Sequence, residues 1–230
     1  MSYAPHQNLI GLLCTLRGQG GSDALLKEVV TWHDFALDLF FGRIRKCQRP
    51  FICHAVGATD ATAHFVTIEK DILAASMFHS AYRIGQFPKN NKRAALRKVI
   101  GDRAEMLVHT YSDVSPKDLS AIIQMSSDNE QLLAGAWLAH EYEEHLLSPV
   151  AGHRGRVFGE TDIRKYAKVS RKLGFNALAD AWMDVIPATS DTAWIGEILG
   201  NRGSRRLRTQ TRGRILARRL VDSIQKAVSK

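Results

Sequence analysis

The sequence predicts an all-α fold, and three observations lead to that prediction. Apolar residues recur at three- and four-residue steps along most of the chain, which is the spacing of one face of an amphipathic helix. Two capping boxes, at Ser115–Asp118 and Ser127–Glu130, place a hydroxyl three residues before an acidic side chain, a pattern that begins helices. The sequence shows no sustained alternation with a period of two, which would indicate strands.

The predicted helices can be followed in chain order. The apolar face of an early helix extends from Leu26 to Phe40, and the helix that begins at the second capping box carries an apolar face as far as Leu147. Gly174 and Pro187 separate the helical segments that come later. These later segments are 161–173, 176–186, 191–199 and 212–228.

Breaks in the helical pattern divide the chain into four parts. Gly18–Gly21 ends an N-terminal segment, and a stretch rich in glycine with one proline, 148–160, is the clearest joint. The predicted organisation is therefore an N-terminal segment (1–21), a helical domain (22–147), a helical extension (148–200) and a basic amphipathic tail (201–230).

Charge is concentrated at the end of the sequence. The chain carries 32 Lys and Arg against 23 Asp and Glu, a net charge of +9. Residues 201–230 hold ten of the basic residues and one acidic residue, which leaves 22 of each in residues 1–200. The first 200 residues are therefore neutral, and the basic character belongs to the tail.

Three kinds of partner are consistent with this tail. Arginine beside an apolar helical stripe suits an anionic membrane surface, and it also suits the phosphates of nucleic acid. Alternatively, the stripe packs on its own domain or on a second copy of the chain, as a homo-oligomer. Residues 201–230 contain no aromatic residue, which disfavours base stacking and interfacial anchoring. We expect packing, with electrostatic attraction to an acidic partner in addition.

Composition excludes several classes of protein. No apolar run approaches the roughly 20 residues that span a bilayer, and the first residues lack the positively charged region of a secretory signal. Three cysteines without paired metal-binding spacing fit reduced thiols, so we expect a cytoplasmic protein. Glycine-rich phosphate loops, a nucleophile elbow and the H-E-x-x-H zinc motif are absent from the sequence.

A motif with regular spacing runs through the predicted helical domain. It begins at Gly42 with G-R-I-R-K-C-Q-R-P-F-I-C-H, which ends at His54, and after 24 intervening residues His79 closes A-A-S-M-F-H. The segments I-G-D-R-A-E-M-L-V (100–108) and L-A-H (138–140) follow. In order and spacing these segments resemble the hydrolase domain of the stringent-response alarmone (ppGpp) hydrolases, which belong to the HD-domain superfamily.

The chain is also similar to an uncharacterised bacterial family of HD-like proteins in which H-S or H-A commonly replaces H-D. The resemblance implies an HD-domain-like helical bundle, here with additional C-terminal helices. In the alarmone hydrolases, two histidines, an Asp next to the second histidine and a distal Asp bind one divalent metal. A Glu-Asp pair beyond the H-D helps with the attacking water.

Carried over position by position, the resemblance keeps the histidines and loses the carboxylates. His54 and His79 stand at the two histidine ligand positions. Ser80 replaces the Asp of H-D, His140 replaces the distal Asp, and Arg83-Ile84 replaces the Glu-Asp pair. Because every carboxylate of the motif is replaced, the resemblance does not favour alarmone hydrolysis.

The remaining ligand set predicts a different metal. Mg²⁺ and Mn²⁺ prefer oxygen ligands, whereas three neutral imidazoles from His54, His79 and His140 suit Zn²⁺ or a similar divalent transition metal. Glu144 lies one turn after His140 and is a candidate fourth ligand or catalytic base. Each histidine can equally be a core residue bonded to a neighbouring carbonyl. The cofactor prediction is thus one zinc-like divalent metal or none.

Charged residues surround the motif on both sides. The run Glu141–His145 is acidic, and we expect most of it to be solvated because consecutive helical positions point in different directions. In the alarmone hydrolases, basic residues of the first motif segment help to hold the nucleotide, and Arg45 stands at the matched position. Guanidinium groups bind phosphate or carboxylate bidentately, so this basic cluster is a candidate anion site, with a solvated loop as the alternative. The cluster comprises Arg43, Arg45, Lys46 and Arg49.

Two functional hypotheses follow. The first is an HD-like enzyme, a hydrolase or lyase, that acts on an anionic small molecule, either phosphorylated or not, through a rebuilt histidine-rich site. Three convergent histidines can also act without a metal, as acid, base and hydrogen-bond donor. The second hypothesis is a catalytically inactive HD-like binding or scaffold protein, which the loss of the motif carboxylates favours.

Overall fold

The computed structural model describes residues 3–45, 49–87, 91–113, 127–147 and 160–191. These residues are almost entirely helical, and the all-α prediction is confirmed for them. An isolated β-bridge joins Ile44 and Pro50. None of the described helices has the length and apolarity to cross a bilayer. The helices are α1 (Leu9–Gly18), α2 (Asp23–Leu39), α3 (Phe51–Phe65), α4 (Lys70–Phe78), α5 (Ala81–Ile84), α6 (Lys92–Ile100), α7 (Asp102–Asp113), α8 (Asp128–Leu147), α9 (Glu160–Lys172) and α10 (Asn176–Asp191).

Helix α3 forms the centre of the bundle. Every residue in 54–63 is buried, and α3 packs against α1, α4 and α8. Most side chains in this stretch are small, so the neighbouring helices can pack closely around it. The buried hydroxyls of Thr59 and Thr62 donate back to the carbonyls of Ala55 and Ala58, at 2.8 and 2.9 Å. These bonds leave neither hydroxyl unpaired in the core.

The two N-terminal helices begin at side-chain caps. The Asn8 side chain accepts a hydrogen bond from the backbone N–H of Gly11 at 2.8 Å, which caps α1. Ser22 accepts from the N–H of Leu25 at 3.2 Å and caps α2 in the same way. Helix α2 buries Trp32 and Ala36. Leu37, which belongs to the predicted apolar face, is 43% exposed, so the buried face is rotated from the predicted one. The prediction of a helix in this region is confirmed.

The second predicted capping box begins α8. The backbone N–H of Ser127 donates to the Glu130 carboxylate at 3.1 Å, and the N–H of Glu130 donates to the Ser127 hydroxyl at 3.3 Å. This reciprocal pair satisfies two donors that the first turn would otherwise leave unpaired. The first predicted box, Ser115–Asp118, lies outside the described residues.

Helices α9 and α10 form a hairpin through Gly174, whose positive φ of 85° suits glycine. The prediction that Pro187 ends the second helix is wrong, because α10 continues to Asp191. Proline removes one backbone donor, and the packing of Trp182 against Tyr166 of α9, with ring centroids 5.0 Å apart, holds α10 in place before that point. The predicted helices 191–199 and 212–228 and the tail extend beyond the described part of the chain.

Candidate metal and anion site

Three buried histidines from separate parts of the chain meet at one point in the bundle. His54 lies in the first turn of α3, His79 directly follows α4, and His140 lies in α8. One ligand atom from each lies within 4.8 Å of the others, and the ring centroids are 4.4–5.1 Å apart. The prediction that these three histidines converge is confirmed.

Hydrogen bonds orient two of the three rings. Nδ1 of His79 lies 2.7 Å from the carbonyl oxygen of Ser76, which can only accept, so this Nδ1 carries the proton and Nε2 keeps a lone pair. Nδ1 of His54 lies 2.5 Å from Oε2 of Glu143. Nε2 of His54 lies 3.1 Å from Nε2 of His140. The Nε2 edges of His54 and His140 therefore face each other within the cluster.

Glu143 is the functional residue that the sequence reasoning missed. Its side chain is 1% exposed, and Glu141 and Tyr142 are buried as well, so the expectation of a mostly solvated acidic run is wrong. Helix α8 packs against α3 and α4 and also against α9 and α10, so neighbours cover several of its faces. In this run Glu144 is the more accessible carboxylate, at 41% exposure.

Burial makes charge unfavourable throughout the cluster. Burial lowers the pKa of His54 to about 3 and raises the pKa of Glu143 to about 8, with the charge of Arg45 opposing the second shift. Burial also holds the pKa values of His79 and His140 well below the usual range. The positive charge of Arg83 acts in the same direction on all three histidines. The rings are therefore neutral near pH 7, which is the form that binds metals.

Arg45 and Glu144 lie at the edge of the cluster. Nη2 of Arg45 is 2.6 Å from Oε1 of Glu144, and its Nη1 is 3.8 Å from Oε2 of Glu143. The second oxygen of Glu144 lies 3.7 Å from Nε2 of His140. The structure thus brings Glu144, the predicted fourth ligand or base, next to the histidines. Its 3.7 Å separation from Nε2 of His140 compares with about 3.3 Å for two ligand atoms on one tetrahedral metal.

The other residues of the predicted basic cluster contribute less directly. Arg49 donates a hydrogen bond to the side-chain oxygen of Gln7, and Nε2 of Gln7 donates to Oε1 of Glu143 at 2.8 Å. Nε of Arg43 is buried and has no hydrogen-bond partner within the described residues. Lys46 lies outside those residues. The basic cluster therefore reaches the histidines chiefly through Arg45.

The first residues of the chain hold Gln7 in its place. The backbone N–H of His6 donates to Oδ2 of the buried Asp60 at 2.7 Å, and the hydroxyl of Tyr142 donates to the carbonyl of Tyr3 at 2.8 Å. The hydroxyl of Tyr3 donates to the same Asp60 carboxylate. Residues 3–7 thus pack on α3 and α8 and complete the hydrogen bonds around Glu143.

Gly57 leaves the space that Glu143 and Gln7 occupy. A Cβ atom on Gly57 would lie 2.9 Å from Oε1 of Glu143 and 3.2 Å from Cγ of Gln7. We therefore expect Gly57→Ala to lower the free energy of unfolding by about 1 kcal/mol, since overpacking costs about 1–3 kcal/mol and helix propensity returns up to ~1 kcal/mol. Urea unfolding measures the change. Gly18→Ala is the control, because no atom lies within 4 Å of its Cβ position and the variant should lose no stability.

Tyr111 of α7 is a second residue that the sequence reasoning missed. Its ring centroid lies 5.6 Å from that of His79 and 6.2 Å from that of His140. The residue is 5% exposed, and its hydroxyl has no hydrogen-bond partner in the described part of the chain. Burial raises its pKa well above the usual range, and the carboxylates of Glu141 and Glu144 act in the same direction. An unpaired buried hydroxyl costs about 1–3 kcal/mol.

Ser80, which directly follows His79, forms a hydrogen bond with Arg83. Nη2 of Arg83 lies 3.2 Å from the hydroxyl oxygen of Ser80, to which it donates. The sequence resemblance aligns these two positions with carboxylates of the HD-domain motif, and this chain has a hydroxyl and a guanidinium there. Arg83 thus adds positive charge near the cluster, in which Glu143 and Glu144 are the neighbouring carboxylates.

Fold and site together define an all-α protein with a buried cluster of three histidines that could hold a metal ion. The family model for a domain of unknown function, DUF6817, matches residues 42–115, which are 74 of the 230 residues. The matched segment includes His54, His79 and Tyr111, whereas His140 lies beyond it. Neither the curated proteins nor the solved structures contain a match to this chain.

Proposed function

We propose that the protein is an HD-like, metal-dependent hydrolase or lyase that acts on an anionic small molecule. In this proposal His54, His79 and His140 hold one zinc ion or a similar divalent transition metal. The observation that carries the proposal is the convergence of three neutral, buried imidazoles from different parts of the fold. A histidine triad with an open position is a common catalytic zinc site.

The separation of one pair of histidine nitrogens fits a tetrahedral zinc site, and the ligand atoms of all three histidines lie within 4.8 Å of one another. Zn–N bonds of about 2.0–2.1 Å in a tetrahedral site put two ligand nitrogens about 3.3 Å apart, and the nitrogens of His54 and His140 are 3.1 Å apart. Histidine ligands usually donate their second N–H to a carboxylate or a backbone carbonyl. His54 and His79 have these partners in Glu143 and in the carbonyl of Ser76.

The protein's own groups suggest how a reaction would be assisted. A bound zinc ion supplies a Lewis acid and lowers the pKa of water at its open position. Glu144 lies beside His140 and is more exposed than Glu143, so it is the candidate to accept a proton from the nucleophile. Arg45 lies within 2.6 Å of Glu144 and orients its carboxylate.

Charge supports an anionic substrate. Arg45 and Arg83 both place positive charge close enough to lower the pKa values of His54 and His140. Nη1 of Arg45 is buried and makes no hydrogen bond within the described residues. A phosphate or carboxylate group on the substrate would pair with these guanidinium groups.

Metal analysis tests the proposal. We expect purified protein to contain, or after chelation to take up, one zinc or similar ion per chain, and His79→Ala to weaken its binding by at least about 100-fold, because a lost ligand costs more than the roughly 10- to 100-fold loss of an outer partner. Equilibrium dialysis with elemental analysis gives stoichiometry and affinity. His109→Ala, which removes an exposed histidine, is the control and should bind metal as the parent does.

An inactive HD-like binding or scaffold protein is the second candidate function. The 3.1 Å contact between Nε2 of His54 and Nε2 of His140 favours it, because one shared proton would satisfy both nitrogens without a metal. Two results together would support this second function and contradict the first. The parent protein would take up no divalent metal at micromolar free zinc, and His79→Ala would leave its metal content unchanged.

A further inference from the structure

We propose that the hydroxyl of Tyr111 donates a hydrogen bond to a phosphate oxygen of the ligand that binds at the His54, His79 and His140 cluster. The inference rests on the proposed function and deepens it, because it assigns the chemical class of the ligand and a residue that recognises it. Tyr111 stands outside the motif that resembles the HD-domain hydrolases, and it is not one of the candidate metal ligands.

The position of Tyr111 is the first support. Its ring lies against the rings of His79 and His140, with centroids 5.6 and 6.2 Å away, so the residue forms part of the wall of the cluster. The carboxylate of Glu144, at the exposed edge of the cluster, lies close enough to influence the phenol. Because Glu144 lies beside His140 and the Tyr111 ring lies against His140, a ligand that contacts His140 is also near this side chain.

The unpaired hydroxyl is the second support. Buried hydroxyls in folded proteins nearly always have a partner, which is a protein group, water or a ligand. The buried hydroxyls next to His79 are paired, since that of Ser80 accepts from Arg83 and that of Ser76 lies 3.0 Å from the hydroxyl of Thr62. Tyr111 is only 5% exposed, yet its buried hydroxyl has no such partner among the described residues.

The chemistry of the missing partner follows from the neighbouring charges. A phenol that keeps its proton can donate, and a buried O–H is best satisfied by an acceptor such as a phosphate oxygen. Arg83 and Arg45 contribute positive charge at the same cluster, and Arg45 pairs with Glu144. Glu144 is one of the two carboxylates, with Glu141, whose negative charge acts on the phenol. Phosphate offers several strong acceptor oxygens and can engage a phenol and a guanidinium together.

The test is a titration of inorganic phosphate into the full chain, both zinc-loaded and metal-free, followed by calorimetry. We expect Tyr111→Phe to weaken phosphate binding at least tenfold, to leave the zinc content unchanged and to leave the thermal midpoint equal or higher, since the variant removes only an unpaired oxygen. Tyr166→Phe, a buried tyrosine in α9 stacked on Trp182, is the control and should bind phosphate normally.

Three outcomes decide the matter. Weaker phosphate binding by Tyr111→Phe, in whichever form of the protein binds phosphate, supports the proposal. Equal phosphate binding by the variant and the parent overturns it and leaves a buried water as the partner of the hydroxyl. Absence of phosphate binding by the parent in both forms also overturns it, and a parallel acetate titration then shows whether the site takes carboxylates. A failure of the metal proposal appears separately, as a lack of zinc in the dialysis experiment.

Discussion

The metal-free protein is expected to lose about 2 kcal/mol of unfolding free energy for each of His79, His140 and His145 as the pH falls from 6.5 to about 5. Burial lowers the pKa of each of these side chains, to about 4 for His145 and well below the usual range for the other two. We expect few other single features of the fold to change the unfolding free energy as strongly as these buried neutral histidines do.

The sign follows from comparing the two states. In the unfolded chain a histidine has a pKa of about 6.5, so below that pH the unfolded state binds protons that the folded state does not bind. Stability is therefore complete above about pH 6.5 and falls with pH until the folded pKa is reached. His54, with a pKa of about 3, adds to this loss, whereas Glu143, with a pKa of about 8, acts in the opposite direction. Between about pH 4.5 and 6.5 these two contributions largely cancel.

Urea unfolding in the presence of a chelator, at pH 7.5, 6.0 and 5.0, measures the effect. His145→Leu is the informative comparison, because His145 packs beside Trp182, with ring centroids 5.8 Å apart, and stands outside the three-histidine cluster. The unfolding free energy of that variant should depend less steeply on pH, because close to one proton fewer is taken up on unfolding. Equal unfolding free energies at pH 7.5 and 5.0 would mean that the histidines are accessible to protons in the folded state.

The convergence of the three histidines was predicted correctly from the sequence, because the spacing of the motif reflects a three-dimensional arrangement. His54, His79 and His140 are far apart in the chain, and only the order and spacing of the motif segments linked them. Helical periodicity likewise predicted α2 and the start of α8, since local hydrogen bonds such as the Ser127–Glu130 pair are written into neighbouring residues.

The residues missed by the sequence reasoning share a physical reason. Glu143 lies in a run that looks solvated, and its burial depends on packing of α3 and of residues 3–7 against α8. The spacing of three between His140 and Glu143 was the available signal, since such residues share a helical face. Tyr111 looks like an ordinary core aromatic on an apolar helix face, and only its unpaired hydroxyl distinguishes it. A sequence does not contain information on hydrogen-bond partners of this kind.

Replacing Glu143 with glutamine is expected to weaken zinc binding by about 10- to 100-fold, the usual effect of losing the outer partner of a histidine ligand. The Glu143 carboxylate lies 2.5 Å from Nδ1 of His54, and it strengthens the metal-binding nitrogen on the opposite side of the ring. Glutamine keeps the shape and can still accept from Nδ1, yet it cannot carry the negative charge that Glu143 gains above its pKa of about 8. Zinc binding by parent and variant is therefore compared above that pH. Competition with a chromogenic zinc chelator gives the affinity, and circular dichroism checks that the fold is unchanged.

Glu144→Gln is the matched control, since Glu144 is the next residue in α8 and its oxygen lies 3.7 Å from Nε2 of His140. If Glu144 is the proton acceptor of the reaction, this variant should bind zinc with nearly the parent affinity and lose catalytic rate. If Glu144 is instead the fourth ligand, Glu144→Gln should weaken zinc binding more than Glu143→Gln does. The second result would contradict the roles assigned here, because the buried carboxylate would then contribute less to the metal than the exposed one. Comparing the two adjacent glutamates therefore distinguishes a carboxylate that hydrogen-bonds to a histidine ligand from one that binds the metal directly.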